Sequence, residues 1–465
     1  MDTLEEEAVS AGIAPAFWDH WGFTGVTGSL CSFPLWTVVK DIRRRSQNTT
    51  DLPRQPVCEC QDHKMEWRVL FSLIYSSGFL CVLESQAPKA PDVRDLAFKN
   101  TDFAMNLYRK ISSYHDKNIF FSPLSVSTSF ASLLLAAKGS TRAEIVKGLN
   151  LNPIDVTGDA ALIPQLFEQL QKNISQDEKL HSEQGTALFI DERFTVEREF
   201  GDQMETFFGA DVTAVDFSKT ELSKSIINEY VSRKTGGKVS EMLTSVEPLT
   251  QMMLLNTIFF QGDWDRPFDP NSTEMSRFYV DKYNVVQVPM MVKEDKFFTA
   301  EDGELRARVL RLPYRGGAAL IIVLPDTAAD YTAIDDEISA ERFHGWIKNM
   351  RRIKMEVHLP KFKMEQSYNL HEILPHLGIS SVFLHSANLT GLSKDAHLKV
   401  SQVLHKAVIE VDEKGTTAAS ATSVGITAYS LPATFIVNRP FFFFLYHEAT
   451  SSLLFMGRVI DPTKN

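Results

Sequence analysis

Cysteine is the first scarcity of this chain. The four cysteines of the 465 residues are Cys31, Cys58, Cys60 and Cys81, and none follows residue 81. The long remainder therefore folds without disulfides and has no thiol nucleophile. Cys58-Glu59-Cys60 is one residue too short for a Cys-x-x-Cys redox or zinc site. Catalytic signatures are missing as well. There is no Gly-x-Ser-x-Gly elbow, no Walker loop and no Gly-x-Gly-x-x-Gly turn. His371-Glu372 with His376 imitates a zinc-protease motif, but the second histidine comes one residue too late and Pro375 interrupts the turn. Gly236-Gly237-Lys238 lacks the upstream glycine of a phosphate loop and reads as a helix stop. Excess positive charge is also lacking. The net charge is −11, which argues against a surface that attracts nucleic acid or anionic lipid as a whole. Nothing here carries enzymatic catalysis, and no small-molecule or metal cofactor is implied.

What is present begins with residues 65–87. A short basic start at 65–68 precedes fifteen uncharged residues, 69–83, and then small residues at 84–87. This is the pattern of a secretory signal, too short in its apolar core for a comfortable membrane span. Since 64 residues stand in front of it, we expect translation to start at Met65, with residues 1–64 an upstream extension. Secretion agrees with three sequons, at Asn173, Asn271 and Asn388.

The body, residues 88–465, is continuous and without repeats. Phe103, Leu107 and Ile111 recur at helical spacing. Ser122-Pro123 opens a second helix as cap and first-turn proline, and Gly139 is expected to close it. Leu162, Leu166, Phe167 and Leu170 mark another helical face; Ile227, Tyr230 and Val231 mark one more, ended by Gly236-Gly237. Strand-like runs follow at 252–260, 309–312 and 320–324, the last after a Gly316-Gly317 turn, and a final pair at 441–446 and 453–459. Helices first and strands later predict an α+β fold with large antiparallel or mixed sheets.

Between two strand-like blocks lies Glu413-Lys414-Gly415-Thr416 and a run of small residues up to Pro432. Thr416, Thr417, Thr422, Val424 and Ile426 accept extended backbone. Small side chains enter a packed interior without overpacking it. The segment therefore suits a loop exposed in one state and a strand in another. An inserted strand buries alternate residues, either Thr416, Ala418, Ser420 and Thr422 or Thr417, Ala419, Ala421 and Ser423. Neither set holds a charge, a proline or a bulky group.

Several blocks, in order, resemble the serpin family over roughly residues 95–465. They are Asn118-Ile119-Phe120-Phe121-Ser122-Pro123, Ile227-Asn228-Glu229-Tyr230-Val231 with Thr235-Gly236-Gly237-Lys238, and Leu255-Asn256-Thr257-Ile258-Phe259-Phe260 with Gly262 and Trp264. Val411-Asp412-Glu413-Lys414-Gly415-Thr416 and Phe435-Ile436-Val437-Asn438-Arg439-Pro440-Phe441 complete the set. The resemblance implies a large central sheet with two smaller sheets, about nine helices and an exposed reactive-centre loop at about 413–435. It implies a suicide mechanism, in which a serine protease cleaves the loop and the freed strand inserts into the central sheet; such insertion is among the general switching examples. The hinge would comprise Glu413, Gly415, Thr416, Ala418, Ser420 and Thr422, with Lys361 pairing Glu413. Counting from the hinge glutamate puts the cleaved bond at Tyr429-Ser430. Lys414 and Thr417 depart from the family, whose inhibitory members usually carry acidic residues there.

Ile426-Thr427-Ala428-Tyr429-Ser430 and Asp281-Lys282-Tyr283 with Val288-Pro289-Met290-Met291 narrow the resemblance to serpins that inhibit coagulation factor Xa. Protein Z on phospholipid is their cofactor, and they inhibit factor XIa without it. That match implies protein Z contacts at Tyr283, Asp336 and Asp116. For heparin, the 162–173 helix offers only Lys172, whereas Lys138, Arg142 and Lys147 form a modest patch. Two other readings stay open: an inhibitor of chymotrypsin-like proteases, which Tyr429 also fits, and a non-inhibitory hormone carrier.

Overall fold

Two apolar blocks, 441–447 and 452–459, are buried on both faces and form the middle of the structure. The computed structural model describes residues 90–155, 158–176, 182–239, 241–326, 331–395, 397–414 and 433–464. The expectations for the Met65 start, the signal segment and the loop residues Gly415 to Ser430 lie outside the described residues.

Among the described residues there are eight α-helices: α1 (Val93–Ser112), α2 (Pro123–Ser132), α3 (Gly139–Gly148), α4 (Leu162–Ser175), α5 (Arg198–Phe208), α6 (Thr220–Lys234), α7 (Tyr331–Glu337) and α8 (Ala340–Asn349). Fourteen strands accompany them. They are β1 (Ile119–Phe121), β2 (Ser182–Asp191), β3 (Asp211–Val215), β4 (Met252–Phe260), β5 (Glu274–Tyr279), β6 (Val285–Asp302) and β7 (Ala307–Pro313), then β8 (Ala318–Pro325), β9 (Arg351–Pro360), β10 (Phe362–Asn369), β11 (Gln402–Val411), β12 (Ala433–Ile436), β13 (Phe441–His447) and β14 (Ser452–Val459).

Local chemistry explains several boundaries. Ser122 caps α2, its hydroxyl accepting from the Ser125 N–H at 3.2 Å, and Pro123 follows. Gly316 and Gly317 have φ of 89° and 68°, which the turn between β7 and β8 requires. One boundary differs from expectation. The helix opened by Ser122 ends at Ser132, tightens into a 3₁₀ turn over Leu133–Leu135, and Gly139 opens α3 instead of closing α2. Gly139 has φ 57°, so it makes the turn between two helices.

A five-stranded sheet runs β10-β11-β4-β2-β3, and a nine-stranded sheet runs β1-β14-β13-β8-β7-β6-β9-β12 with β5 beside β6. The two smaller sheets of the expectation are thus joined by hydrogen bonds through β6. Its first residues pair with β5, its middle with β9 and its end with β7. In β4 the side chains alternate. Met252, Leu254, Ile258 and Phe260 join the main core, while Met253, Leu255 and Phe259 join a smaller core with Ile227, Tyr230 and Val231 of α6. Helix α6 therefore covers one face of the five-stranded sheet.

One buried ion pair ties distant parts together. Arg458 of β14 is 1% exposed and pairs with Asp335 of α7, which also accepts from the Tyr108 hydroxyl of α1 at 2.6 Å. The same guanidinium donates to the carbonyls of His115 (2.7 Å) and Lys117 (3.2 Å). Burial pushes the Asp335 carboxyl up, against the bonds from Tyr108 and Arg458. Truncation would strand a buried carboxylate, so Arg458→Ala is expected to lower stability by about 3–5 kcal/mol. Denaturant midpoints check this; a shift equivalent to less than about 1 kcal/mol, the size of a surface pair, would refute it.

Candidate functional site at the mouth of the five-stranded sheet

The segment 415–432 leaves the end of β11 and returns at β12. Strand β11 lies beside β4 in parallel, from Gln402 opposite Met253 to Ile409 opposite Phe260. A chain that turns back from β11 and enters this seam would run antiparallel to both neighbours. Antiparallel ladders are slightly more stable per residue than parallel ones. The seam is thus a place where the following segment could be accepted as a strand.

The exit from β11 is anchored by three side chains. Lys361 Nζ lies 2.6 Å from one Glu413 oxygen, and Thr273 Oγ1 donates to the other at 2.9 Å. The expected Glu413–Lys361 pair is therefore present. The Trp264 indole N–H donates to the Asp412 carbonyl at 2.7 Å, and its ring stacks on Tyr314 with centroids 4.1 Å apart. Burial raises the Glu413 carboxyl, but the bonds from Lys361, from its own backbone N–H and from Thr273 outweigh it, so the net shift is downward. Lys414 is exposed, and its N–H donates to the Asp412 carboxylate at 2.8 Å.

Farther down the seam is a buried polar cluster that sequence reasoning missed. His405 and Asn256 face each other across the β4–β11 pairing, both on the main-core side. His405 Nδ1 is 2.8 Å from Asn256 Oδ1, and the Ser122 N–H reaches His405 Nε2 at 3.0 Å. A backbone N–H only donates, so Nε2 accepts and Nδ1 carries the proton that it gives to Asn256. Ser122 in turn donates to the Leu454 carbonyl at 2.8 Å. A strand placed in the seam would separate β4 and β11 by roughly another 4.8 Å and break the His405–Asn256 bond. A signal existed: His405 and Asn256 are polar residues at core-facing positions of otherwise apolar strands.

The predicted partner contacts fall on separate features. Tyr283 is 85% exposed at the tip of the β5–β6 turn, where the Asp281 carboxylate accepts from the N–H groups of Tyr283 (2.7 Å) and Asn284 (2.9 Å). Asp116 and Asp336 are exposed. The structure fastens both to one group, because Arg458 holds His115 and Lys117 on either side of Asp116 and also Asp335 beside Asp336. In the patch Lys138, Arg142 and Lys147, Arg142 is committed to Asp155 through two bonds of 2.6 and 2.8 Å. Lys138 and Lys147 remain exposed. The Lys138 N–H donates to the carbonyl of Asn388, so the patch abuts that sequon. Asn271 and Asn388 are exposed, and Asn173 is half-buried on α4.

Burial pulls His405 down to about 3. Its unfolded counterpart titrates near 6.5, so between these values the unfolded chain binds the extra proton. The stabilisation is complete above pH ~6.5 and declines as pH falls towards 3, by up to about 1.4 kcal/mol per pH unit. The variant His405→Gln is expected to show a shallower decline between pH 7.5 and 5 in denaturant midpoints. Equal slopes for the two proteins would refute the assignment.

Residues 98–462 match the family described as Serpin (serine protease inhibitor). The protein Z-dependent protease inhibitor of Mus musculus is 38% identical over 371 residues, covering 80% of this chain and 83% of the relative. The crystal structure of the mouse protein-Z dependent protease inhibitor superposes with a TM-score of 0.75 at 36% identity, covering 80% of this chain and 98% of the other. The structure of human thyroxine-binding globulin complexed with thyroxine has a TM-score of 0.74 at 33% identity, covering 80% and 99%. With a parallel seam at β4–β11, an anchored hinge glutamate and a family match over nearly the whole described body, this chain belongs to the serpins.

Proposed function

We propose that the chain is a secreted suicide inhibitor of serine proteases that acts on coagulation factor Xa with protein Z as its cofactor, and on factor XIa. The observation that carries the inhibitory reading is the parallel seam followed directly by a hinge without bulky or charged residues from Gly415 to Ser423. The protease serine oxygen attacks the Tyr429 carbonyl carbon. The bond to Ser430 breaks, a proton goes to the leaving amine, and Tyr429 is left as an ester on the protease. The freed strand then enters between β11 and β4. About 15 residues at about 3.3 Å each carry the ester by roughly 50 Å. Opening requires release of the Trp264–Asp412 and His405–Asn256 bonds, so these set part of the barrier.

A tyrosine at the cleaved bond suits an apolar specificity pocket better than that of factor Xa. A cofactor that holds both partners on a phospholipid surface offsets the mismatch by raising their effective concentration. Tyr283, with its fully presented ring, and the acidic pair Asp116 and Asp336 supply the contacts for that cofactor. The sequence relatives named for dependence on protein Z support this reading. The hormone-carrier alternative draws on the likeness to thyroxine-binding globulin; the permissive hinge favours inhibition over it.

The decisive experiment mixes the protein with factor Xa, with and without protein Z, calcium and phospholipid. An SDS-stable adduct and a released peptide beginning at Ser430 are expected; no adduct with any serine protease would overturn the inhibitory reading. Thr416→Arg should turn the inhibitor into a cleaved substrate. Tyr283→Ala and Asp336→Ala should each slow the protein Z-dependent reaction about tenfold or more, as loss of a central interface contact does. The reaction with factor XIa should be unaffected, and equal losses in both reactions would count against the assigned contacts.

A further inference from the structure

A cavity of about 270 Å³ lies beside the hinge anchor, bounded by the segment after β4, the middle of β6, the end of β7 and the start of β9. Its floor is aromatic: Trp264, Phe268 and Phe297 are each at most 5% exposed. Its walls are cationic. Arg266, Lys293, Lys296, Arg311 and Arg352 line it, against the carboxylates of Asp265 and Asp295 and that of Glu448, which pairs with Arg311. Five cations thus face three carboxylates in a chain whose net charge is −11.

The internal pairing leaves donors over. Asp295 is shared, since Arg266 Nη1 reaches both its oxygens at 2.9 Å and Lys293 stands 3.9 Å away. Arg311 keeps a buried Nε without a partner despite its pairing with Glu448. Among the described residues, Lys296 and Arg352 have no carboxylate partner; the Arg352 guanidinium lies 5.9 Å from the Phe298 ring centroid, opposite no anion. Burial also pulls Lys293 down to about 8, so its ammonium is one that Asp295 does not fully compensate. Charged donors over an apolar floor are the makings of a site for an anion with a hydrophobic body.

We infer that this cavity binds a small amphipathic anion: one aromatic ring or short aliphatic body bearing a single carboxylate, sulfate or phosphate head. A cavity of about 150 Å³ accommodates benzene, so this volume has room for one ring and its head group. The head group meets Lys296 and Arg352, and the body lies on Trp264 and Phe268. The occupant therefore touches the indole that holds Asp412, and it stabilises the native arrangement of the hinge by mass action.

The test uses the full chain and follows both melting temperature and tryptophan fluorescence. The probes are benzoate, phenyl sulfate and phenyl phosphate, with benzyl alcohol as the neutral body and inorganic sulfate and phosphate as bodiless heads. At least one aryl anion is expected to bind saturably with Kd below about 1 mM, a free energy near 4 kcal/mol. The three aryl probes identify the head group. Lys296→Glu and Arg352→Glu, both at exposed positions, should each raise Kd about tenfold or more, equivalent to about 1.4 kcal/mol. Lys224→Glu on α6 should leave it unchanged. The site is overturned if no aryl anion saturates, if benzyl alcohol or an inorganic anion binds as tightly, or if the two glutamate variants keep the parent affinity.

Discussion

The structure turns on the parallel contact between β4 and β11. Eight residue pairs join these strands, and the chain leaves β11 directly into its hinge. A strand that arrives there from β11 finds two edges of the same polarity and satisfies both as an antiparallel partner. Everything around the seam either lines it or holds it shut. Helix α6 supplies a second small core on one face, the capped start of α2 sends Ser122 to the other, and Trp264 closes the top. The native seam is thus a parallel ladder with the hinge glutamate anchored at its exit. Beside the backbone ladder, the His405–Asn256 bond and the bond from Trp264 to the Asp412 carbonyl help to hold it.

Much of this architecture could be read from residue pattern alone. Ser122-Pro123 marked a helix start, Gly316-Gly317 a hairpin turn, and the mostly apolar runs at 252–260 and 441–446 their central strands. The Glu413–Lys361 pair was legible because both residues sit in family motifs. The remainder was hidden by distance along the chain. His405 meets Asn256 across 149 positions and Ser122 across 283, and Arg458 meets Asp335 across 123. Such contacts are set by strand register and helix placement, which periodicity does not encode. The three-leucine run that ends α2 in a 3₁₀ turn is a case of the opposite kind. There, Gly139 looked like a stop signal, but a helix start lay at the same residue.

The outer surfaces follow a similar economy. One guanidinium, Arg458, sets the spacing of the 115–117 loop and α7, and with them two exposed carboxylates. A buried ion pair of this kind contributes little net stability compared with an apolar replacement. What it contributes here is geometry, since a planar donor group fixes directions as well as distances. Tyr283 is presented differently, by an Asp281 side chain that folds back on its own turn. Rigid presentation without a dedicated helix is a common property of short turns closed by an aspartate.

Thr273 occupies two sequence grammars at once. Its hydroxyl completes the Asn271-Ser272-Thr273 acceptor, and in the folded chain the same oxygen donates to Glu413 at the hinge. A transferase using this acceptor would read the triplet before folding, whereas the folded hinge uses the hydroxyl. A Thr-to-Ser exchange keeps a hydroxyl available to both, and any residue without a hydroxyl removes it from both. Asn271 is exposed two residues from the hydroxyl that holds Glu413, so the acceptor triplet and the hinge contact share a single tripeptide.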